Sequence, residues 1–283
     1  MPGLAFDWAA DFYDQTRGFP QTVPEKIRDA IVNYTRSGSN SRFLEMGVGT
    51  GRVALPFIRG CFDYTGVDLS QPMMAKLIEK LQADPAYASY RYRLLKADMM
   101  HLPLPDASFD VVLMVLVLHL VADWQQALRE ASRVVKKPGG WIIMGYDARA
   151  ESEGQAETSA SHLVNLQWDA ILAELGVIRD KLQPGIGRSD SSQTSESIAK
   201  FLEAAGAKVE TITLLEYDSL PLTPREMVQR HKQKMYSSDR LLPSDIHARA
   251  IQQLEDWLET ACPDPDLARV SRVQFKAQAA TWS

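Results

Sequence analysis

The chain has 283 residues, of which 45% are hydrophobic and 24% are charged, a balance typical of globular proteins and not of disordered or fibrous ones. Its formal net charge is −5, so the surface has no general attraction for DNA or RNA, whose binding depends on clustered lysine and arginine. The length fits one enlarged α/β domain, or one domain with a smaller insertion. We therefore expect no nucleic-acid partner.

Neither the cysteines nor the apolar segments indicate a metal site, a disulfide or a membrane span. Cys61 and Cys262 lie far apart in the sequence and have no metal-ligand spacing. The longest apolar run, residues 111–118, is too short to cross a bilayer. The N-terminus lacks the basic region and apolar run of a signal peptide, so the expected location is the cytoplasm.

The first 150 residues predict a helical cap (residues 1–40) and an α/β core (residues 41–150). The cap contains a helix, because apolar residues recur at helical spacing from Pro24 to Tyr34. In the core, strands alternate with helices that begin near Arg52, after the capping residue Ser70, and at Trp124. The predicted strands are residues 42–46, 62–68, 90–96, 109–118 and 141–146. This alternation predicts an α/β fold with a Rossmann-like, doubly wound parallel sheet.

Residues 151–283 predict a helical insertion, or lid, together with C-terminal strands that complete the sheet. The clearest helix start is Thr223-Pro224-Arg225-Glu226, which combines a capping box with proline at the first helical position. The predicted helices are residues 162–178, 194–205, 223–236 and 244–259, and the predicted strands are residues 208–216 and 270–281.

A glycine-rich turn, Glu45-Met46-Gly47-Val48-Gly49-Thr50-Gly51-Arg52, joins the first strand to the first helix of the core. Glycines in this context let the backbone turn sharply and let a ligand approach the helix N–H groups. Arg52 stands where a dinucleotide fingerprint needs glycine or alanine, and the Gly-Lys-Ser/Thr of a P-loop is absent. A cofactor with an amino-acid end fits better, because Glu45 would accept hydrogen bonds from its ammonium group directly or through water.

Two aspartates follow the next two strands of the core. Asp68 ends the second strand, where an acid in a doubly wound sheet holds ribose hydroxyls. Asp98 follows the third strand and offers an acceptor to an adenine amino group, while Leu69, Met73 and Met99 supply apolar walls. The alternatives are a helix-capping role for Asp68 and a solvated loop position for Asp98.

The motifs LEMGVGTGR, TGVDLS, KADMMHLPLPDASFDVV and LREASRVVKKPGGWIIM occur in this order between about Phe43 and Tyr146. In order and spacing the stretch resembles the class I S-adenosylmethionine-dependent methyltransferases, and most closely the ubiquinone/menaquinone-biosynthesis-like enzymes and their small-molecule relatives. The resemblance implies S-adenosylmethionine as the cofactor and a seven-stranded sheet whose last strand is antiparallel. Beyond Tyr146 the chain resembles these enzymes only in the general arrangement of its predicted elements.

The resemblance also implies where the cofactor binds. The methionine end would lie near Glu45, the glycine turn and the backbone of the fourth strand, the ribose on Asp68, and the adenine near Asp98. Tyr13 is an N-terminal candidate, and packing within the cap is its equal alternative. The implied cofactor-binding residues are Tyr13, Glu45, Gly47, Gly49, Gly51, Asp68, Leu69, Met73, Asp98, Met99, Val115 and Leu116.

The implied activity is methyl transfer to a small, partly apolar molecule. Since the sulfonium carbon is already activated, the enzyme mainly positions the reactants, and a base is needed only for an acceptor proton of high pKa. His119 is a candidate base where relatives often carry two histidines, with helix packing as the alternative. We expect the acceptor over the carboxyl ends of the strands, with residues 7–19, 162–178 and 223–236 as walls or lid.

Three other functions compete with methyl transfer to a small molecule. A protein or RNA methyltransferase is disfavoured because the sequence has no basic patch or added binding module. A protein that binds S-adenosylmethionine without transferring its methyl group, as a sensor or partner subunit, stays open. A nicotinamide-dependent oxidoreductase is disfavoured by Arg52.

Overall fold

A computed structural model describes residues 7–149, 159–178, 182 and 192–283 of the chain. The chain divides into two compact units. Unit 1 comprises Met1–Ala148, Gly185–Leu215 and Gln274–Ser283, and unit 2 comprises Arg149–Pro184 and Glu216–Val273. Within the described ranges, none of the helices has both the length and the apolar composition of a membrane span.

In the part of the chain that the structure describes, seven strands form one mixed sheet in the order β3-β2-β1-β4-β5-β7-β6. The strands are β1 (Arg42–Met46), β2 (Asp63–Asp68), β3 (Tyr92–Lys96), β4 (Val111–Val115), β5 (Trp141–Arg149), β6 (Lys208–Asp218) and β7 (Arg272–Thr281). The first five strands pair in parallel. The last strand, β7, is antiparallel to its neighbours. Accordingly, the end of β7 lies beside the start of β5, where the Gly139 N–H donates to the Trp282 carbonyl at 3.0 Å. The predicted seven-stranded Rossmann-like sheet is therefore confirmed.

The centre of the sheet consists of β1 and β4, which are almost wholly buried. All five residues of β4 are buried, and so are four of the five in β1, as expected of parallel strands covered on both faces. The strand predicted at residues 109–118 is shorter than expected at both ends. It stops at Val115 because Leu116 adopts a φ of +52°, which leaves the extended region, and Leu118–Leu120 then form a short 3₁₀ turn.

Unit 1 contains the helices of the cap and the core and one later helix. They are α1 (Tyr13–Arg17), α2 (Val23–Thr35), α3 (Ala54–Arg59), α4 (Gln71–Gln82), α5 (Trp124–Val134) and α7 (Ser192–Ala204). The Ser70 hydroxyl accepts from the Met73 N–H at the start of α4, as predicted, and proline lies in the first turn. Buried Met73, Met74, Leu77 and Leu81 form one face of α4.

Unit 2 contains α6 (Ala160–Glu174), α8 (Pro224–Lys232), α9 (Ser237–Arg240) and α10 (Ser244–Thr260), with α6, α8 and α10 packed together. The predicted capping box is present, since Thr223 Oγ1 accepts from Glu226 N at 3.0 Å and Glu226 Oε2 accepts from Thr223 N at 2.8 Å. The predicted helix 223–236 ends earlier, at Lys232, because Lys234 has a φ of +52°. Its lid role stays a prediction.

Gly51 is required by both backbone conformation and packing in the turn between β1 and α3. Its φ is +82°, in the left-handed region that other residues avoid. A Cβ at this position would lie 2.3 Å from Cδ1 of Leu77, which is fully buried in α4. Gly51 therefore allows α4 to pack directly on the glycine turn.

We predict that Gly51→Ala lowers the free energy of unfolding by about 2–5 kcal/mol, from left-handed strain of about 1–2 kcal/mol plus overpacking of about 1–3 kcal/mol. Gly139→Ala is the matched control, because Gly139 has a φ of +88° but no atom within 4 Å of the added Cβ. The free energy of unfolding of Gly139→Ala should therefore fall only by the cost of left-handed strain, about 1–2 kcal/mol. Urea unfolding measures both variants, and equal losses would contradict the packing role of Gly51.

Candidate functional site

A pocket of about 650 Å³ lies in unit 1 beside the carboxyl ends of β1, β2 and β4. Ligands bind at this edge in open α/β sheets. Its wall is mostly apolar, with two carboxylates and two glycines among the described residues. The lining residues are Tyr13, Gly47, Gly49, Asp68, Leu69, Met73, Asp98, Met99, Val115, Leu116, Val117, Leu120 and Val121.

The pocket brings together most of the residues implied by the sequence. Of the implied cofactor-binding residues, all line it except Glu45 and Gly51. Three lining residues were missed, namely Val117, Leu120 and Val121. The apolar run after β4 contained them, but the sequence did not show that the chain turns at Leu116 and brings them to the pocket.

Asp68 joins the glycine turn to the start of α4. Its Oδ2 accepts from the Gly49 N–H and its Oδ1 accepts from the Ser70 N–H, both at 2.8 Å. Burial raises the pKa of Asp68, and these backbone hydrogen bonds act in the opposite direction because they stabilise the carboxylate. The predicted capping alternative is thus partly realised, since the same carboxylate orders the turn and lines the pocket.

Glu45 lies on β1 with its carboxyl group buried beneath the turn. Its Oε2 accepts from the Tyr64 hydroxyl at 2.7 Å. Burial raises the pKa of Glu45 to about 8, although the hydrogen bond from Tyr64 and the charge of Arg52 lower it. Glu45 is therefore buried and does not line the cavity.

The glycine turn is folded against the ends of β2 and β4. The N–H groups of Gly47 and Val48 both donate to the Val67 carbonyl, at 2.8 and 3.0 Å. Gly47 has a φ of +88°, and a Cβ there would lie 2.6 Å from Cγ2 of Val117. A side chain at Gly47 would therefore displace a wall of the pocket.

The second carboxylate of the pocket, Asp98, is fixed by the loop after β3. Its Oδ1 accepts from the Met100 N–H at 2.9 Å, so the loop backbone orients the group. Leu69, Met73 and Met99 supply apolar surface in the same pocket. The combination of an oriented acceptor and apolar walls suits a heteroaromatic ring with an amino group.

His119 is half-buried in the 3₁₀ turn Leu118–Leu120. Among the described residues that line the pocket, Leu120 and Val121 are present and His119 is not. The role of His119 as a general base therefore stays a prediction from the sequence.

The pocket residues fit S-adenosylmethionine by the chemistry of their donors and acceptors. Two glycines at positive φ allow close approach to the backbone, one carboxylate lies where a ribose is expected, and a second carboxylate stands among apolar side chains.

Comparison with known proteins agrees with this site. Residues 44–144 match a family model described as a methyltransferase domain. Phosphatidylethanolamine N-methyltransferase of Cereibacter sphaeroides is 32% identical over 145 residues, which are 50% of this chain and 66% of that protein. 27-O-demethylrifamycin SV methyltransferase of Amycolatopsis mediterranei is 26% identical over 204 residues, or 68% of this chain and 72% of that protein.

Demethylmenaquinone methyltransferase of Thermus thermophilus is 33% identical over 119 residues, or 41% of this chain and 52% of that protein. The chain thus spans between 52% and 72% of the lengths of these three relatives. Among solved structures, the YcgJ protein of Bacillus subtilis has the same fold, with a TM-score of 0.55, 17% identity, and coverage of 91% of this chain and 98% of that one.

The family match covers the strands and turns that build the pocket. It confirms the resemblance found in the motifs, which implies S-adenosylmethionine as the cofactor. The chain therefore contains a methyltransferase domain of the S-adenosylmethionine-dependent class, within residues 44–144.

Proposed function

We propose that the chain transfers the methyl group of S-adenosylmethionine to a small, partly apolar molecule. The observation that carries this proposal is one pocket in which Gly47, Gly49, Asp68 and Asp98 meet the apolar carboxyl end of β4. This pocket contains hydrogen-bond acceptors for a ribose and for an adenine, and its glycines allow a ligand to approach the backbone closely.

Asp68 is proposed to hold the ribose. An ionised carboxylate has about four lone-pair positions on its two oxygens. The Asp68 carboxylate accepts from the Gly49 and Ser70 N–H groups and is also stabilised by the Leu69 N–H, so about one lone-pair position remains for a ribose hydroxyl. The same residue then fixes the turn and the sugar relative to each other.

We assign the adenine end of the pocket to Asp98, Leu69, Met73 and Met99. Since Asp98 Oδ1 is oriented by the Met100 N–H, the carboxylate is pre-organised to accept from the exocyclic amino group of adenine. The three apolar side chains provide surface for the two faces of the ring.

The methionine end is assigned to the glycine turn, the backbone at Val115 and Leu116, and Tyr13. Glu45 is proposed to reach the ammonium group through a water molecule, since its carboxyl is bonded to Tyr64 beneath the turn and does not line the cavity. Bridging waters transmit such contacts at little energetic cost.

Bound S-adenosylmethionine supplies a methyl group activated by the positive charge on its sulfur. The residues of the pocket hold it and exclude water, and the acceptor is aligned for an in-line displacement. Such alignment accounts for about 7–11 kcal/mol of barrier reduction in favourable cases. A general base is required only if the acceptor carries a proton of high pKa.

The proposed acceptor is partly apolar because of the wall beyond the glycine turn. Val117, Leu120 and Val121 line this wall, and the charged side chains among the described lining residues are Asp68 and Asp98, which are assigned to the cofactor. The three relatives are named for three different acceptors, namely phosphatidylethanolamine, 27-O-demethylrifamycin SV and a demethylmenaquinone. The apolar wall, and not any one relative, is therefore the basis for the acceptor class.

Cofactor binding is tested first by calorimetric titration with S-adenosylmethionine and S-adenosylhomocysteine, with NADH as the control. We expect micromolar binding of the first two and none of NADH. Transfer of a radiolabelled methyl group to a panel of apolar and polar acceptors then identifies the substrate. A folded protein that binds neither sulfur ligand would refute the proposal.

We predict that Asp68→Ala weakens the binding of S-adenosylhomocysteine by about 1–3 kcal/mol, because a charge-assisted hydrogen bond to the ribose is lost. Asp123→Ala is the matched control: Asp123 also caps a helix, accepting from the Gln126 N–H at 2.9 Å, but it does not line the pocket. Calorimetry on both folded variants should separate them. Equal affinities would remove Asp68 from the ribose site.

We predict that Glu45→Gln flattens the pH dependence of stability between about pH 4.5 and 8. In this window the folded protein keeps a proton on Glu45 that the unfolded chain has released, so the contribution of Glu45 to stability is largest below pH 4.5 and is lost as the pH rises through about 8. The fall is at most about 1.4 kcal/mol per pH unit. Glutamine still accepts from Tyr64 but has no charge to bury.

Urea midpoints measured from pH 4.5 to 8.5 test this expectation. Some slope should persist in Glu45→Gln, because burial also raises the pKa of Asp68. The exposed Glu203→Gln is the control and should follow the native protein. A native slope that Glu45→Gln leaves unchanged would show that Glu45 is ionised in the folded state.

A further inference from the structure

The N-terminal strap, defined here as residues 7–19, is tied to the glycine turn by a closed set of three contacts. Asp14 Oδ1 accepts from the Thr50 hydroxyl at 2.6 Å, and Asp14 Oδ2 pairs with Lys80 Nζ at 2.5 Å. Lys80 Nζ also donates to the Thr50 carbonyl at 2.8 Å. The strap, the turn and α4 thus meet at one point.

The Thr50 contact is the one with the largest energetic weight. Thr50 is only 1% exposed, so its hydroxyl depends on Asp14 as acceptor, whereas the side chains of Asp14 and Lys80 are 44% and 30% exposed. A buried hydroxyl that loses its acceptor keeps its desolvation cost, while a partly exposed ion pair is screened by water. We therefore expect the hydroxyl, more than the ion pair, to hold the strap.

A second anchor lies at the other end of the strap. Arg52 Nη1 donates to the Arg17 carbonyl at 2.6 Å, and its guanidinium lies 4.1 Å from the centroid of the Phe19 ring. Arg52 is the last residue of the glycine turn. The residue that excluded a dinucleotide fingerprint in the sequence therefore binds the strap.

Both sides of the Asp14–Thr50 contact adjoin the pocket. Tyr13, which immediately precedes Asp14, lines the pocket. On the other side, Gly49 precedes Thr50, lines the pocket and donates to Asp68. A change at this contact is thus one residue away from the cofactor site on each chain segment.

We propose that Asp14 and Thr50 are positioning residues whose contact, supported by Lys80, keeps the strap closed with Tyr13 at the pocket, so that its opening sets the rate of cofactor exchange. The exchange-rate part rests on the proposed binding of S-adenosylmethionine. The closure part concerns the chain alone and is measurable without any ligand.

The test compares Thr50→Val, which removes the hydroxyl but keeps the shape, with Thr50→Ser, which keeps the hydroxyl. Amide hydrogen exchange over residues 7–19 is followed in the ligand-free protein, and the dissociation of S-adenosylhomocysteine is followed by stopped flow. In Thr50→Val both rates should rise about tenfold, the effect of losing one buried hydrogen bond. In Thr50→Ser both should stay within about twofold of the native values.

Asp11→Ala is the matched control on the strap. Asp11 pairs with Lys76 at 3.2 Å, but its side chain is 90% exposed, so its loss should change neither rate by more than about twofold. Urea unfolding of each variant shows whether faster exchange is confined to the strap or follows from general destabilisation.

The proposal would be overturned if amide hydrogen exchange in the strap were equally fast in Thr50→Val and in the native protein. It would also be overturned if Thr50→Ser raised this exchange as much as Thr50→Val does. If the native protein bound no S-adenosylhomocysteine, the proposed function would fail. The hydrogen-exchange comparison would then still decide whether the Asp14–Thr50 contact closes the strap. If Thr50→Val raised amide hydrogen exchange in the strap without faster dissociation of S-adenosylhomocysteine, the exchange-rate part of the proposal would be disproved.

Discussion

The hydrogen bond from Gly49 to Asp68 is the contact on which the site depends. It fixes the glycine turn at the end of β2, while the second oxygen of the same carboxylate receives the Ser70 N–H at the start of α4. A buried carboxylate is costly unless its oxygens are bonded, and these N–H groups meet that need. The turn, the helix start and the pocket wall are therefore set by one side chain, and a change at Asp68 affects all three.

Much of the fold and of the site could be predicted because local patterns and tertiary structure agree in the first half of the chain. The unbroken apolar run around β4 indicates a strand that is buried on both faces. The glycine turn lies between a strand and a helix, and this position indicates a ligand-binding turn. The positions of Asp68 and Asp98 follow from the same geometry, because parallel strands end at one edge of the sheet.

The remaining features depend on conformations and partners that the sequence does not display. Leu116 takes a positive φ without being glycine, so the end of β4 and the return of Val117 to the pocket were not foreseen. Glu45 is directed by the hydroxyl of Tyr64 on the neighbouring strand, a contact between residues 19 apart. The strap contacts join segments more than 30 residues apart, and no periodicity encodes them.

The position of β7 has a consequence for the order in which the sheet is completed during synthesis. Although β7 follows every other strand in the sequence, it lies between β5 and β6 and is not an edge strand. The Thr281 hydroxyl donates to the Gly140 carbonyl, and the Trp282 indole donates to the Ala205 carbonyl. Until these residues leave the ribosome, β5 keeps an unpaired edge and β6 has no neighbour, so a nascent chain with an otherwise complete cofactor pocket exposes a strand edge of the kind that promotes aggregation.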